Sequence, residues 1–196
     1  MNLTTVDRVL SRIAADGDAK AATKTEIAAV IVAVSGAVEA YLERFTLRTA
    51  RTEYHDVDRG QCRFRLRAYP VTVLTSVAFD TEQEWATALT AGTDYLSPLY
   101  DNGGTLVVRY PLSDYYDAPG ALKVVYTGGM ATDTDSFVAA YPDIASAVDT
   151  QVSHEWQRRN ALGVSSVSYP DGTTASLSFD RWIPSVKQVL DFHARR

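Results

Sequence analysis

One long apolar segment near the start of the chain limits how this sequence can fold. Residues 23–45 read T-K-T-E-I-A-A-V-I-V-A-V-S-G-A-V-E-A-Y-L-E-R-F. Thr23 with Glu26 three places on matches a capping box, which predicts a helix over residues 24–45. At about 100° per residue, the large apolar residues form one broad stripe: Ile27, Val30, Ile31, Val34, Val38, Tyr41, Leu42 and Phe45.

Small residues form a second stripe on the far side of this helix: Ala29, Ala33, Gly36, Ala37 and Ala40. Ser35, Glu39 and Glu43 lie in a narrow polar gap between the stripes. Since a helix that is apolar on two faces is buried on two sides, the small-residue stripe packs either against a second helix of the same chain or against a neighbouring subunit. We favour the same chain, with the polar gap facing a neighbour or a channel. On that basis Gly36→Leu costs about 1–3 kcal/mol by overpacking.

Composition narrows the class of protein. The chain has 196 residues, 46% of them apolar, and a net charge of −5, which suits one domain with a sizeable core. The acidic balance argues against a protein that wraps nucleic acid by neutralising phosphates. A single cysteine, Cys62, indicates a reducing compartment. No signal peptide is evident, and the apolar run 27–38 is bounded by Glu26 and Glu39, so we expect no membrane span.

The remaining chain alternates between helical and strand periodicity. A short helix is predicted over residues 5–14, and a second long helix over 143–160 with Asp143 as N-cap and Gly163 as terminator. Between the long helices, residues 47–127 form a mostly antiparallel β insert. Its predicted strands are 51–56, one containing Cys62, Phe64 and Leu66, then 71–79, 92–96 paired with 105–110 across the turn 101–104, and 122–126.

The predicted fold class is therefore α+β: a small bundle of helices, two of them long, with an inserted β region and a C-terminal extension. The extension is a hairpin around residues 170–172 and a helix that begins near Pro184. We expect residues 1–162 to form the core and residues 163–196 to form the extension.

The search for catalytic chemistry is negative. His55, His154 and His193 belong to three different predicted elements and have no metal-ligand spacing. Cys62 alternates inward with apolar residues, which is typical of a core residue. The segment Asp133-Thr134-Asp135 lacks the rest of a calcium loop, so we interpret it as a solvated loop. No catalytic residue, metal or cofactor is predicted.

Two surfaces are candidates for partner contacts. Arg63, Arg65 and Arg67 alternate along one strand and suit an acidic partner or DNA phosphates. The competing interpretation, a solvated strand face with a cross-strand partner such as Glu53, is favoured by the negative net charge. In the tail, Trp182 and Ile183 either dock on another chain or fold back on the helices.

The order of several motifs resembles a known family. The long helix ends in A-Y-L-E-R-F, then R-A-Y-P-V-T-V-L-T-S-V and K-V-V-Y-T-G-G-M follow, and P-D-I-A-S-A-V-D-T-Q-V-S-H-E-W-Q-R-R-N opens the second long helix. This arrangement, over roughly residues 23–162, resembles the head-tail connector proteins of long-tailed bacteriophages, also called adaptor or head-completion proteins. The extension 163–196 has no residue-by-residue match to the family.

The resemblance implies a dodecameric ring in the virion neck, made in the bacterial host cytoplasm, which binds the portal and a downstream neck (stopper) or tail protein. DNA passes through it without sequence-specific binding, and neither catalysis nor a cofactor is expected. Candidate portal-binding residues are Trp182, Ile183, Val186, Val189, Leu190 and Phe192. Candidate subunit-packing residues are the small-residue stripe with Glu39 and Glu43.

Two alternatives stay open at this point. A tail-completion or tail-terminator protein is also structural, but such proteins usually pack a sheet directly on helices. A small hydrolase using Asp133, Asp135 or His154 has only isolated residues in its favour.

Overall fold

The computed structural model describes residues 1–13, 21–82, 84–85, 88–96, 104–112, 117–159, 166–168, 174–176 and 181–194. Within these ranges the helices are α1 (Val6–Arg12), α2 (Ala21–Leu42), α3 (Thr134–Ala140), α4 (Pro142–Arg158) and α5 (Pro184–His193). The strands are β1 (Thr49–Val57), β2 (Arg63–Arg65), β3 (Val71–Phe79), β4 (Thr105–Val107), β5 (Ala118–Gly128), β6 (Ser166–Ser168) and β7 (Thr174–Ser176). The predicted α+β fold class is confirmed.

The chain divides into two compact units. The helical unit comprises Met1–Leu42 and Thr134–Arg196, and the β unit comprises Glu43–Asp133. This division differs from the predicted one, because α5 packs against α4 and α2 and so belongs with the other helices.

The β unit contains a three-stranded antiparallel sheet of order β1-β5-β3 and a two-stranded sheet of β2 and β4. The inward side chains of both sheets share one core, which includes Phe64, Leu106, Leu122 and Tyr126, all at most 1% exposed. A turn follows β1, with the N–H of Gln61 donating to the Asp58 carbonyl at 3.0 Å. The strands on either side of this turn do not pair with each other, since β1 pairs with β5 and β2 with β4.

The double glycine after β5 allows two close backbone approaches. A Cβ on Gly128 would lie 2.0 Å from the carbonyl oxygen of Ala68. Gly129 has a φ of +132°, and a Cβ there would lie 2.5 Å from the Leu47 carbonyl oxygen. The strand ends at these glycines because only glycine leaves room for the neighbouring segments.

In the helical unit, α2 turns its large-residue stripe inward and packs against α4. Ile27, Ile31, Val34, Val38 and Leu42 are each at most 2% exposed. The helix begins at Ala21, so the predicted capping residue Thr23 lies inside it. It ends at Leu42, three residues before the predicted end, because Glu43 takes a left-handed φ of 49° that stops helical propagation.

The expected packing of the small-residue stripe within the chain is wrong. Ala29, Ala33, Gly36 and Ala40 are exposed, and Ala37 is half-buried. A Cβ on Gly36 would meet nothing within 4 Å, so Gly36→Leu does not overpack the single chain. Only the large-residue face of α2 is buried, because α4 packs against that face.

Ser35 is also not at a surface edge. It is 2% exposed, and its Oγ accepts the N–H of Leu3 at 3.0 Å. The N-terminal segment therefore covers the part of the polar gap that Ser35 occupies, while Glu43 is exposed.

Two helix starts differ from the sequence predictions. The segment interpreted as a solvated loop around Asp135 begins α3, and Phe137 anchors that short helix in the core. Asp143 is not an N-cap: Tyr141 holds that position and Pro142 is the first helical residue, as its fixed φ favours. Asp143 lies in the first turn, where the helix dipole stabilises a carboxylate. The predicted terminator Gly163 lies outside the described residues.

Candidate functional site

One face of α2 is an exposed apolar surface in the helical unit. Besides the small residues it carries Val32, which is 59% exposed. An apolar helix face of this kind, in water, is a surface for association. Small side chains on it would let another backbone approach closely.

The window Thr23–Leu42 is long and apolar enough to cross a membrane by length and composition alone, contrary to the sequence expectation. Its mean hydropathy is 1.6, and 33% of it is buried within the chain. The core helix of a soluble protein passes the same test, and here the buried third contributes five large residues to the core.

The tail helix α5 folds back on its own unit. Val186 and Leu190 are at most 2% exposed, and the Trp182 ring meets the Tyr41 ring edge-on with centroids 5.8 Å apart. The predicted portal-binding role of Val186 and Leu190 therefore conflicts with the structure, which uses them as core residues. Ile183 and Val189 are half-buried, whereas Phe192 is 83% exposed.

Polar side chains that the sequence analysis missed hold the tail in place. Gln151, 1% exposed on α4, donates to the Arg181 carbonyl at 2.8 Å and accepts the Ile183 N–H at 3.2 Å. His193 Nε2 lies 2.5 Å from Asp143 Oδ2. The signal for Gln151 was a polar residue within the apolar stripe of the second long helix.

Asp149 is a second buried polar residue within the apolar stripe of α4. Its carboxylate is 5% exposed, accepts a hydrogen bond from Thr4, and pairs with Arg8 at 2.8 Å. A buried carboxylate needs such partners, so this contact fixes α1 and the N-terminal segment on α4.

In the β unit, Glu53 anchors a polar network instead of pairing with the arginine side chains. Its carboxylate, 12% exposed, accepts the Tyr126 hydroxyl at 2.5 Å and the backbone N–H of Arg67 at 3.2 Å. Tyr126 in turn accepts the Ala68 N–H at 3.0 Å. His55 Nε2 lies 3.5 Å from Glu53 Oε2, at the limit of a hydrogen bond. These hydrogen bonds hold residues 67–68, which precede β3, against β1 and β5.

Burial and hydrogen bonding shift the pKa values of Glu53 and Tyr126. Burial raises the pKa of Glu53, but contacts from His55, Tyr126 and the Arg67 N–H outweigh it, so the net pKa lies below its usual value. Burial, and then the hydrogen bond to Glu53, raises the pKa of Tyr126 well above its usual range. A charged Glu53 and a neutral Tyr126 are therefore the stable pair.

The three predicted arginines are brought together on one exposed face. Arg63 and Arg65 lie opposite Val107 and Thr105 of β4, and Arg67 follows two residues on. The expected cross-strand partner Glu53 is thus absent from the facing strand. We call these three residues the arginine stripe.

Among the described residues, no three His, Cys, Asp or Glu side chains group closely enough to hold a metal ion. His55 and His193 contact carboxylates in different units, and His154 lies half-buried on α4. The structure therefore does not assemble the histidines into one site. Asp133 is exposed and near the start of α3.

Comparisons with known proteins give the fold a context. No family model matches this sequence, and no curated protein matches it. A chain in the neck of an empty gene transfer agent particle, computed with C6 symmetry, superposes with a TM-score of 0.61 at 14% identity, covering 96% of this chain and 87% of that one.

Two further structures from gene transfer agent particles share the fold. One is the neck of the native particle computed with C12 symmetry, with a TM-score of 0.55, 14% identity, and coverage of 98% of this chain and 93% of that one. The other is the virion of the native particle, with a TM-score of 0.57, 14% identity, and coverage of 90% and 92%. These likenesses establish the fold that the chain shares with them.

Proposed function

We propose that the chain is a structural virion protein, an adaptor subunit that forms a ring between the portal of a phage-like head and the neck or tail. The observation that carries the proposal is the fold shared over 96% of the chain with a component of a particle neck. DNA would pass through the ring, and no catalytic step is assigned to it.

The exposed face of α2 supports assembly into a ring. A closed ring of identical subunits needs a heterologous contact, in which one surface meets a different surface on the next copy. The face of Ala29, Ala33, Gly36 and Ala40 has no covering element in the described chain. We assign it to the contact with the neighbouring subunit, with Glu39 and Glu43 beside it.

Size-exclusion chromatography with light scattering, followed by electron microscopy, tests this with the chain alone and with its portal protein. The wild-type chain is expected to form a ring, either by itself or on the portal. Ala33→Leu weakens each contact by about 1–3 kcal/mol through overpacking, so rings disappear. The free chain keeps its stability within about 0.5 kcal/mol because residue 33 is exposed and leucine is a good helix former.

Ala139→Leu is the matched control, since Ala139 is an exposed alanine on α3. It should leave assembly unchanged. A chain that stays monomeric with its portal present would contradict the adaptor proposal. If Ala33→Leu forms rings as readily as the wild-type chain, the exposed face of α2 is not part of the contact between subunits.

A further inference from the structure

We infer that the arginine stripe binds the phosphate backbone of nucleic acid. The three guanidinium side chains are all exposed. Within the described part of the chain, neither Arg65 nor Arg67 makes an ion pair. The carboxylate expected to pair with them, Glu53, accepts the Tyr126 hydroxyl and the backbone N–H of Arg67 and forms no ion pair with the side chain of Arg65 or Arg67.

The placement of the stripe is local and not a consequence of overall charge. The β unit, residues 43–133, carries nine Lys and Arg against twelve Asp and Glu. Three of those nine cations nevertheless alternate along one short segment. A cluster of like charges raises the local potential and attracts a polyanion.

A fourth cation adds to this density beside Arg67. The Arg67 guanidinium carbon lies 4.9 Å from the centroid of the Phe45 ring, and that of Arg51 lies 4.0 Å from the same centroid. Arg51 therefore adds a fourth positive charge beside the ring that Arg67 contacts, which strengthens the attraction for a polyanion.

Spacing and chemistry favour nucleic acid over an acidic protein. Arg63 and Arg65 are alternate residues of β2, and alternate side chains of a strand lie about 6.7 Å apart, the axial length of about two base steps. Guanidinium groups bind phosphate oxygens in a bidentate manner. The intervening Phe64 and Leu66 are at most 1% exposed, so the stripe presents charge without the apolar anchors on which protein partners depend.

Three phosphate contacts give weak, salt-sensitive binding, which suits a surface along which DNA has to move. The inference does not depend on ring formation, because it concerns one strand of one chain. Failure to assemble and failure to bind phosphate are therefore distinguishable outcomes.

The test is a titration of the full chain with a 20-bp DNA duplex, followed by NMR and by fluorescence anisotropy from about 20 to 200 mM salt. DNA should shift the Nε signal of Arg65 and the backbone amides of residues 63–67. The double variant Arg65→Gln/Arg67→Gln should lower affinity at least tenfold at low salt. It should also reduce the slope of log K against log salt by about 1.8, since each phosphate that the protein neutralises contributes about 0.9 to that slope.

The control Lys24→Gln/Arg181→Gln removes the same charge from exposed positions of the helical unit. It should keep the wild-type slope. Equal weakening by both double variants, or no shift at Arg65 in the wild-type chain, would overturn the inference. Stronger binding of poly-glutamate than of DNA at the same residues would also overturn it in favour of an acidic protein partner. The NMR shift in the wild-type chain needs no variant, so a folding defect cannot obscure the result.

Discussion

Glu53 shows how one buried carboxylate determines local structure and its pH dependence. The folded-state pKa of Glu53 is lowered, so its stabilisation is fully present above the unfolded-state value of about 4.3 and is lost as the pH falls through the folded-state value. Tyr126 has a raised pKa, so its contribution is present below about pH 10 and is lost above it. These two groups therefore contribute fully to the stability of the β unit between these limits.

Replacing Glu53 by glutamine should expose this dependence. Glu53→Gln weakens the hydrogen bonds from Tyr126 and Arg67, and hydrogen bonds to a charged group are worth about 1.5–3 kcal/mol. We expect a loss of that order at pH 7 and a much smaller loss at pH 3. Urea unfolding followed by the NMR amide signals of β5 measures both.

Glu82→Gln is the control, since Glu82 is exposed in the same unit. It should retain the wild-type pH profile. If Glu53→Gln and the wild-type chain lost stability in parallel between pH 7 and pH 3, the network would not be responsible for the pH dependence.

The partner of Glu53 could not be predicted from local sequence. Alternation correctly indicates that Arg63, Arg65 and Arg67 share an exposed face, because that depends only on the pleat. The facing strand is determined by pairing between distant segments, and β4 lies about forty residues further along the chain. The predicted Glu53 pairing failed for this reason, while the predicted face itself was right.

At the scale of elements, the predicted portal-binding residues of α5 lie in different environments, since Leu190 is buried and Phe192 is exposed. Leu190→Ala should destabilise the helical unit by about 2–5 kcal/mol, because Leu190 is fully buried and its removal leaves a cavity. Phe192→Ala should cost less than about 0.5 kcal/mol, since Phe192 is 83% exposed. Thermal unfolding followed by circular dichroism compares the two, and equal losses would contradict the packing of α5.

Portal pull-down with the same variants assigns the exposed side of α5. If the tail docks on the portal, Phe192→Ala should reduce capture without lowering the melting temperature. Unchanged capture by Phe192→Ala would remove that residue from the portal contact.

Helix periodicity identified both faces of α2 and the residues of each, but not which face the chain covers. Apolar periodicity located both long helices and β3, because it depends only on residues within one element. The capping-box signal did not locate the start of α2, which begins at Ala21 and contains Thr23. The short α3 carries too little periodicity to be distinguished from a loop, and its one anchor is Phe137. Burial of one α2 face and exposure of the other is decided by packing with α4, which no local pattern encodes.

For the whole molecule, the two structural hypotheses differ in the partner that each requires. Under the adaptor proposal, we predict that the chain co-purifies with its portal protein and not with the tail-tube protein. Affinity capture from cells that express all three proteins, with the Ala33→Leu variant beside the wild-type chain, measures this directly. Recovery of the tail tube in place of the portal would favour the terminator. Portal recovery that falls with Ala33→Leu would show that the ring, and not the single subunit, is the form that binds.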